Sequence, residues 1–227
     1  MNPTSDRNRR LFFLILAATT IIKLWMAYSI PFIGDEAYFY QWGKHIDWGG
    51  FYDHPPMVGW WLALLTRMSM SPWVLRLPAI LMPAVIAAAI YLALRSTDRE
   101  KARLAALAFL LLPINVWNVF VTTDTPLVLF CFFAGLAWWM ARPRRDVRLQ
   151  ALAGVFLGLA FLSKYFSVLL ALVFVADVLL TPAPRRDWRG LVITAACTLP
   201  FALLNLWWNF GHCWANLMFN LYNRHDD

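Results

Sequence analysis

Residues 34–56 read GDEAYFYQWGKHIDWGGFYDHPP, which places four carboxylates, two histidines, a lysine and seven aromatics within 23 positions. Asp35 and Glu36 are adjacent. On a helix their side chains would point about 100° apart, so one can face a reacting group while the other orients a partner. A carboxylate at a lipid boundary holds its proton more readily, which suits a general base acting on a hydroxyl or an amine. The same pair also suits the start of the short helix expected over AYFYQWGKHI, where the dipole favours acids. Asp124, in VTTDTPLVLF, has the same two readings: a second acid for an acceptor group, or the N-cap of a helix opened by Pro126.

Asp53 and His54 precede Pro55-Pro56. Side by side they are candidate donors to a divalent metal cation, although two ligands without a third make a sparse metal site. His54, Lys44 and Lys164 can instead donate to a phosphate. Lys164 equally suits a lysine snorkelling from a helix end. Tyr52 and its aromatic neighbours Tyr38, Phe39, Tyr40, Trp42, Trp48 and Phe51 can stack on sugar rings or form an interfacial belt. His45 reads as a structural hydrogen-bond partner, and His212 and His225 fall in no pattern.

These residues need elements to position them, and the composition says which. The 227 residues are 61% hydrophobic and only 15% charged, with mean hydropathy +0.56. Soluble domains carry about 45–50% apolar and about 25% charged residues. The surplus implies that the solvent is lipid. The net charge of +7 does not mark a nucleic-acid-binding face, because the basic residues stand in short clusters between apolar runs. Those clusters are Arg7, Arg9, Arg10; Arg95, Arg99, Lys101, Arg103; Arg142, Arg144, Arg145, Arg148; and Arg185, Arg186, Arg189. If all are cytoplasmic, an even number of crossings separates each from the next.

The expected fold is therefore an all-α transmembrane helix bundle with about seven spans: 11–30, 73–94, 104–121, 125–141, 149–163, 166–181 and 190–209. The N-terminus is cytoplasmic, and residues 31–72 form a large first extracytoplasmic loop with juxtamembrane helices. Within it, 55–71 reads as an amphipathic interfacial helix, with a re-entrant hairpin as the competitor. This topology places Asp35, Glu36, Lys44, His45, Asp47, Asp53, His54, Asp124 and Lys164 on the outer side. Lys23 and Asp177 are the few charges expected deep in spans. The three cysteines show no disulfide or zinc spacing.

GDEAYFYQWG, FYDHPPMVGWWLAL, TTDTPLVLF and GVFLGLAFLSKY, in that order, make the sequence resemble polytopic GT-C type glycosyltransferases. The resemblance is to the family of protein O-mannosyltransferases and lipid A aminoarabinose transferases, in its N-terminal half. It implies a single membrane domain over 1–227, incomplete at its C-terminus, in a cell inner membrane. It implies transfer of a sugar, with inversion, from a polyprenyl-phosphate donor to an extracytoplasmic lipid, glycan or protein acceptor. By position it implies Asp35 as general base, with Glu36 as its motif partner, and Asp124 as the second acid near the acceptor. Asp53 and His54 match an acidic-basic pair linked to metal or carrier phosphate. Lys164 matches a phosphate-side lysine, with Lys44 and Tyr52 as further carrier-facing candidates. The competing functions are a non-catalytic membrane subunit and a transporter or flippase of a lipid-linked sugar.

Overall fold

The computed structural model describes residues 3–222. Its regular structure among them is helical: α1 Pro3–Ser29, α2 Gly34–Lys44, α3 Met57–Thr66, α4 Pro72–Leu75, α5 Leu77–Leu94, α6 Arg99–Leu110, α7 Pro113–Trp117, α8 Asp124–Ala141, α9 Val147–Phe161, α10 Val168–Leu180, α11 Trp188–Gly211 and α12 Ala215–Leu221. His225, which falls in no pattern in the sequence, lies outside the described residues.

Four stretches are long and apolar enough to cross a membrane: Arg7–Ser29, Pro72–Leu94, Asp124–Ala141 and Trp188–Gly211. Helices α3 and α9 and the stretch Tyr165–Leu180 are apolar but shorter. The expected span 104–121 is broken. Pro113 has no N–H to continue α6, which ends at Leu110, and a new short helix starts at that proline. Asn115 Nδ2 then donates to the Phe109 carbonyl at 2.7 Å, a second donor beside the Leu112 N–H at 3.2 Å. The chain from Asn118 to Val121 is non-helical.

The chain divides into two compact units. One comprises the residues up to Ala37 together with Leu65–Val121. In it α1 packs on α5 and α6 through small residues. Ala87, Ala106 and Leu110 are buried against Phe12, Leu16 and Tyr91. Lys23, expected as a deep charge, is buried there and donates to the Ala79 carbonyl at 2.8 Å, so it links α1 to α5. At one end of this unit Asn8 and Arg103 both bond Glu100, which brings the first two basic clusters together.

The other unit comprises Tyr38–Leu64 and the residues from Thr122 onward. Helices α8, α9 and α10 bury Ala134, Ala137, Trp138, Ala153, Leu157, Phe174 and Val178. Helix α3 buries Met57, Val58, Gly59, Leu62 and Ala63 and leaves Leu64 exposed, giving it two unlike faces. Helices α9 and α11 approach at glycines. A Cβ on Gly154 would stand 2.3 Å from the Thr194 carbonyl oxygen, and one on Gly158 2.2 Å from the Phe201 ring. This is the small-xxx-small device of membrane helices. The close approach lets Thr194 and Thr198 hydroxyls donate across it to the Gln150 and Gly154 carbonyls, both at 3.0 Å.

Gly154→Ala is expected to force α9 and α11 apart and to cost about 1–3 kcal/mol, the usual range for overpacking. The check is thermal unfolding in detergent; a midpoint unchanged from the parent would show that the contact is not close-packed.

Candidate active site

Asp35 and Glu36 share the first turn of α2 and meet opposite fates. Glu36 is 3% exposed and Arg76 is 0% exposed. Arg76 Nε donates to Glu36 Oε1 at 2.9 Å and a terminal guanidinium nitrogen to Oε2 at 2.5 Å, a bidentate pair. The remaining guanidinium donors reach the Ala27, Ile30 and Pro31 carbonyls at 2.7–3.0 Å. Those oxygens belong to the end of α1 and the turn beyond it, where a helix runs out of its own donors. Phe32 and Phe120 lie over the guanidinium at 5.4 and 5.5 Å. Glu36 Oε1 also accepts from the Val121 N–H at 3.2 Å.

Glu36 is thus fully occupied in tying α1, α2, α4 and the 118–121 segment together. Asp35 is exposed and makes no hydrogen bond or ion pair among the described residues. The structure separates the two acids: Asp35 is exposed and Glu36 pairs with Arg76. Arg76 was absent from the sequence reading. Its signal was one arginine near the start of an apolar run, which reads as a boundary until a buried acid is found for it.

In the second unit the Asp53-His54 turn is closed by the Phe51 N–H donating to the His54 carbonyl at 2.9 Å. Asp53 Oδ1 accepts from Tyr38 Oη at 3.2 Å. Burial first, then the Asp53 carboxylate, pushes the Tyr38 phenol above its ordinary value, so it stays a donor. His54 Nδ1 lies 3.1 Å from Asp53 Oδ2 but off the axis of a hydrogen bond, and its ring sits 6.0 Å from both Phe39 and Trp42. Among the described residues no third acid, histidine or cysteine joins Asp53 and His54 to complete a metal-ligating cluster. Two adjacent donors alone do not fit a resident cation, and no step is derived through one.

Asp124 is the first residue of α8, not its cap; Thr123 holds the cap position without a side-chain bond. The Asp124 carboxylate instead accepts from Lys164 Nζ at 2.8 Å. Lys164 is more shielded than its partner, 18% against 56%. It stands at the mouth of a groove of about 550 Å³ lined by Tyr165, Phe166, Val168, Leu169, Leu221 and Asn220. Lys44 is exposed with its ammonium 5.2 Å from the Tyr40 ring centre, and Tyr52 is exposed with its ring 5.1 Å from Phe219.

A row of asparagines holds the 49–53 loop, and the sequence reading missed it. Asn205, Asn216 and Asn220 donate to the Gly49, Phe51 and Asp53 carbonyls at 2.9, 2.7 and 2.8 Å. Tyr165 Oη donates to Asn205 Oδ1 at 2.7 Å and also contacts Asn216 Oδ1. Asn209 accepts from the Leu217 N–H at 3.2 Å, fixing α12 to α11. The signal lay in the spacing: Asn205 with Asn209, and Asn216 with Asn220, each four apart on an apolar helix. Gly49 and Gly50 admit the loop to Trp208, whose side-chain atoms lie 2.2 and 2.9 Å from where a Cβ would stand.

Asp177, the other expected deep charge, pairs with Arg142 at 2.7 Å at the arginine-rich end of this unit. Lys23 is likewise paired, with the Ala79 carbonyl.

Residues 53–208 match the model of a family described as dolichyl-phosphate-mannose-protein mannosyltransferase. Over 188 residues the chain is 32% identical to the lipid A galacturonosyltransferase RgtD of Rhizobium johnstonii. That similarity covers 81% of this chain and 40% of the relative. No solved structure matches.

Glu36→Gln would leave Arg76 a buried charge with half its partner gone, a change expected to cost about 3–5 kcal/mol. Asp35→Asn, on an exposed and unbonded side chain, is expected to stay within about 0.5 kcal/mol of the parent. Chemical denaturation of the two variants in detergent checks the contrast. Equal stability of both would show that the buried pair does not hold this unit together.

Proposed function

The chain belongs to the dolichyl-phosphate-mannose-protein mannosyltransferase family, of GT-C type glycosyltransferases, and we propose on that premise that it transfers a sugar from a polyprenyl-phosphate carrier to an extracytoplasmic acceptor. The observation that carries this reading is the division within the acidic pair: Glu36 is locked on Arg76 while Asp35, next to it, is exposed and unbonded. A carboxylate held by a rigid helix start and left without a partner is what a general base requires.

The proposed step is an in-line displacement with inversion. The acceptor oxygen attacks the anomeric carbon and its proton passes to Asp35. The bond from that carbon to the phosphate oxygen breaks, and polyprenyl phosphate leaves with the electron pair. Lys164 stabilises the negative charge that grows on the phosphate. One of its three N–H donors is spent on Asp124, which leaves two for phosphate oxygens. The groove beside it is apolar along Phe166, Val168, Leu169 and Leu221, as an isoprenoid chain prefers. His54, Asp53, Lys44 and Tyr52 are proposed to line the carrier and sugar side, and Asp124 the acceptor side. Glu36 acts as a positioning residue.

The proposed topology has seven crossings of a cell inner membrane, with the N-terminus and the basic clusters cytoplasmic and the reaction on the opposite face. One observation supports the sidedness. Within each unit the basic clusters meet at one end, through Glu100 in one and through Arg145 on the Arg186 carbonyl in the other. The chain spans about 40% of the length of the curated relative it matches. Among acceptors, the similarity to a lipid A galacturonosyltransferase favours a saccharide-bearing lipid.

Asp35→Asn is expected to lower transfer by about 10²–10⁴-fold, the usual contribution of a general base, while the protein stays folded. The assay is sugar transfer in membrane vesicles carrying the protein as encoded. Transfer at the parental rate would remove Asp35 from the chemistry. Lys164→Gln is expected to slow turnover more than it weakens acceptor binding, seen as a fall in kcat with acceptor KM little changed. A pure rise in acceptor KM would place this lysine on the acceptor instead.

A further inference from the structure

At the arginine-rich end of the second unit, Trp138, Arg142, Arg145, Gln150, Asp177 and Asp187 line a small cavity of about 40 Å³, with Arg185 at its edge. This end lies on the segments between α8 and α9 and between α10 and α11, away from Asp124 and Lys164 at the opposite ends of α8 and α9. The bonding of its walls is uneven. Asp177 accepts from Arg142 on one oxygen and from Trp138 Nε1 on the other, at 2.7 and 3.0 Å. Asp187 accepts from the Gly190 N–H as the cap of α11 and from Gln150 Nε2, at 3.0 and 2.6 Å. Arg142 is completed by the Thr181 hydroxyl. Both acids are therefore consumed, and one arginine with them.

What is left over has a definite chemistry. Arg185 makes no side-chain hydrogen bond or ion pair among the described residues. Arg145 makes one long bond, 3.4 Å, to the Arg186 carbonyl. Its backbone stands at φ 48°, a left-handed conformation that costs a non-glycine residue and is worth holding only where the surroundings impose it. Gln150 is 2% exposed, and its Oε1 is buried and accepts from no group among the described residues. Its amide is oriented by the bond from Nε2 to Asp187, so Oε1 is the atom presented for a donor. One guanidinium without a side-chain partner among the described residues, a second held by a single long bond, and one buried acceptor suit a phosphate attached to a group with a hydroxyl or ammonium donor. Next in the chain to the lining residues Val178, Thr181 and Asp187, Leu179, Leu180 and Trp188 are exposed, at 48%, 85% and 49%. Aliphatic side chains and an indole beside arginines are the surroundings of a lipid at headgroup depth.

We propose that this cavity holds the phosphodiester headgroup of an anionic phospholipid, with Arg145 and Arg185 on the phosphate and Gln150 Oε1 on the headgroup donor. Its acyl chains lie along Leu179, Leu180 and Trp188. The site is separate from the sugar-transfer residues and uses none of them.

The test is native mass spectrometry of the protein as encoded, delipidated and then titrated with phosphatidylglycerol or phosphatidylcholine. One retained phosphatidylglycerol per chain is expected, with phosphatidylcholine bound no better than to a variant lacking the arginines. Arg185→Gln and Arg145→Gly are each expected to weaken phosphatidylglycerol binding about fivefold, the usual effect of one basic residue near an anionic lipid. The glycine relieves the backbone at φ 48°, so its loss of binding cannot be laid to misfolding. Arg144→Gln and Arg189→Gln, exposed arginines that do not line the cavity, are expected to leave binding within twofold. Equal losses at all four positions would mean diffuse attraction and would overturn the site. Displacement of the lipid by millimolar inorganic phosphate would overturn the lipid assignment in favour of free phosphate.

Discussion

The structure depends on a charge that cannot be left alone. Arg76 lies where no water reaches it, in a chain whose surroundings are lipid, and a bare guanidinium there would cost several kcal/mol. It is made tolerable by using all of its reach: two bonds to Glu36, three to carbonyls at the end of α1, and two phenyl faces. Those carbonyls have the complementary need. In a low-dielectric medium a helix end must find donors within the protein, because water is not there to supply them. One side chain therefore closes α1, sets the start of α2 through Glu36 and, through the Val121 N–H on the same carboxylate, holds the non-helical 118–121 segment. The cost of breaking any one of these contacts falls on the others, since the charge stays buried.

The second unit solves the same problem without charge. Its loop over 49–54 exposes carbonyls that no helix or strand satisfies, and asparagine amides from α11 and α12 reach across to them. A neutral amide carries a donor and an acceptor and avoids the desolvation cost of a lysine or arginine. Because each asparagine also bonds within its own helix or to Tyr165, the loop is fixed by a connected set and not by isolated contacts. Gly49 and Gly50 serve the same end by letting the loop backbone lie on Trp208. The Asp53-His54 turn inherits its position from this network.

Much of the fold was legible because lipid imposes a simple grammar. Apolar run length fixed α1, α8 and α11 to within a few residues, apart from the N-terminal extension of α1 to Pro3. The break at Pro113 was written in the sequence but masked by the uniform greasiness of LLPINVW, where no polarity change marks the proline. The acidic pair was legible as a pair, since adjacency on a helix forbids a shared target. Its resolution was not, because the deciding partner Arg76 lies 40 positions away. The asparagine row was harder still: its partners lie about 160 positions away, and asparagine in a membrane helix has many harmless explanations. Asp124 was left between a cap and a second acid for a related reason. Local sequence favours capping, and only the fold brings Lys164 within 2.8 Å to compete for the carboxylate.

Asp35 and Asp124 differ in how far their carboxylates are committed. Asp35 is presented by a neighbour that is wholly committed, so its geometry is rigid while its own oxygens remain available. Asp124 is committed to Lys164, and that pair is net neutral until something anionic draws the lysine. Any anion arriving beside Lys164 would compete with Asp124 for the same ammonium. Asp35 is thus an exposed carboxylate beside a fixed pair, and Asp124 a carboxylate whose one ionic partner can exchange.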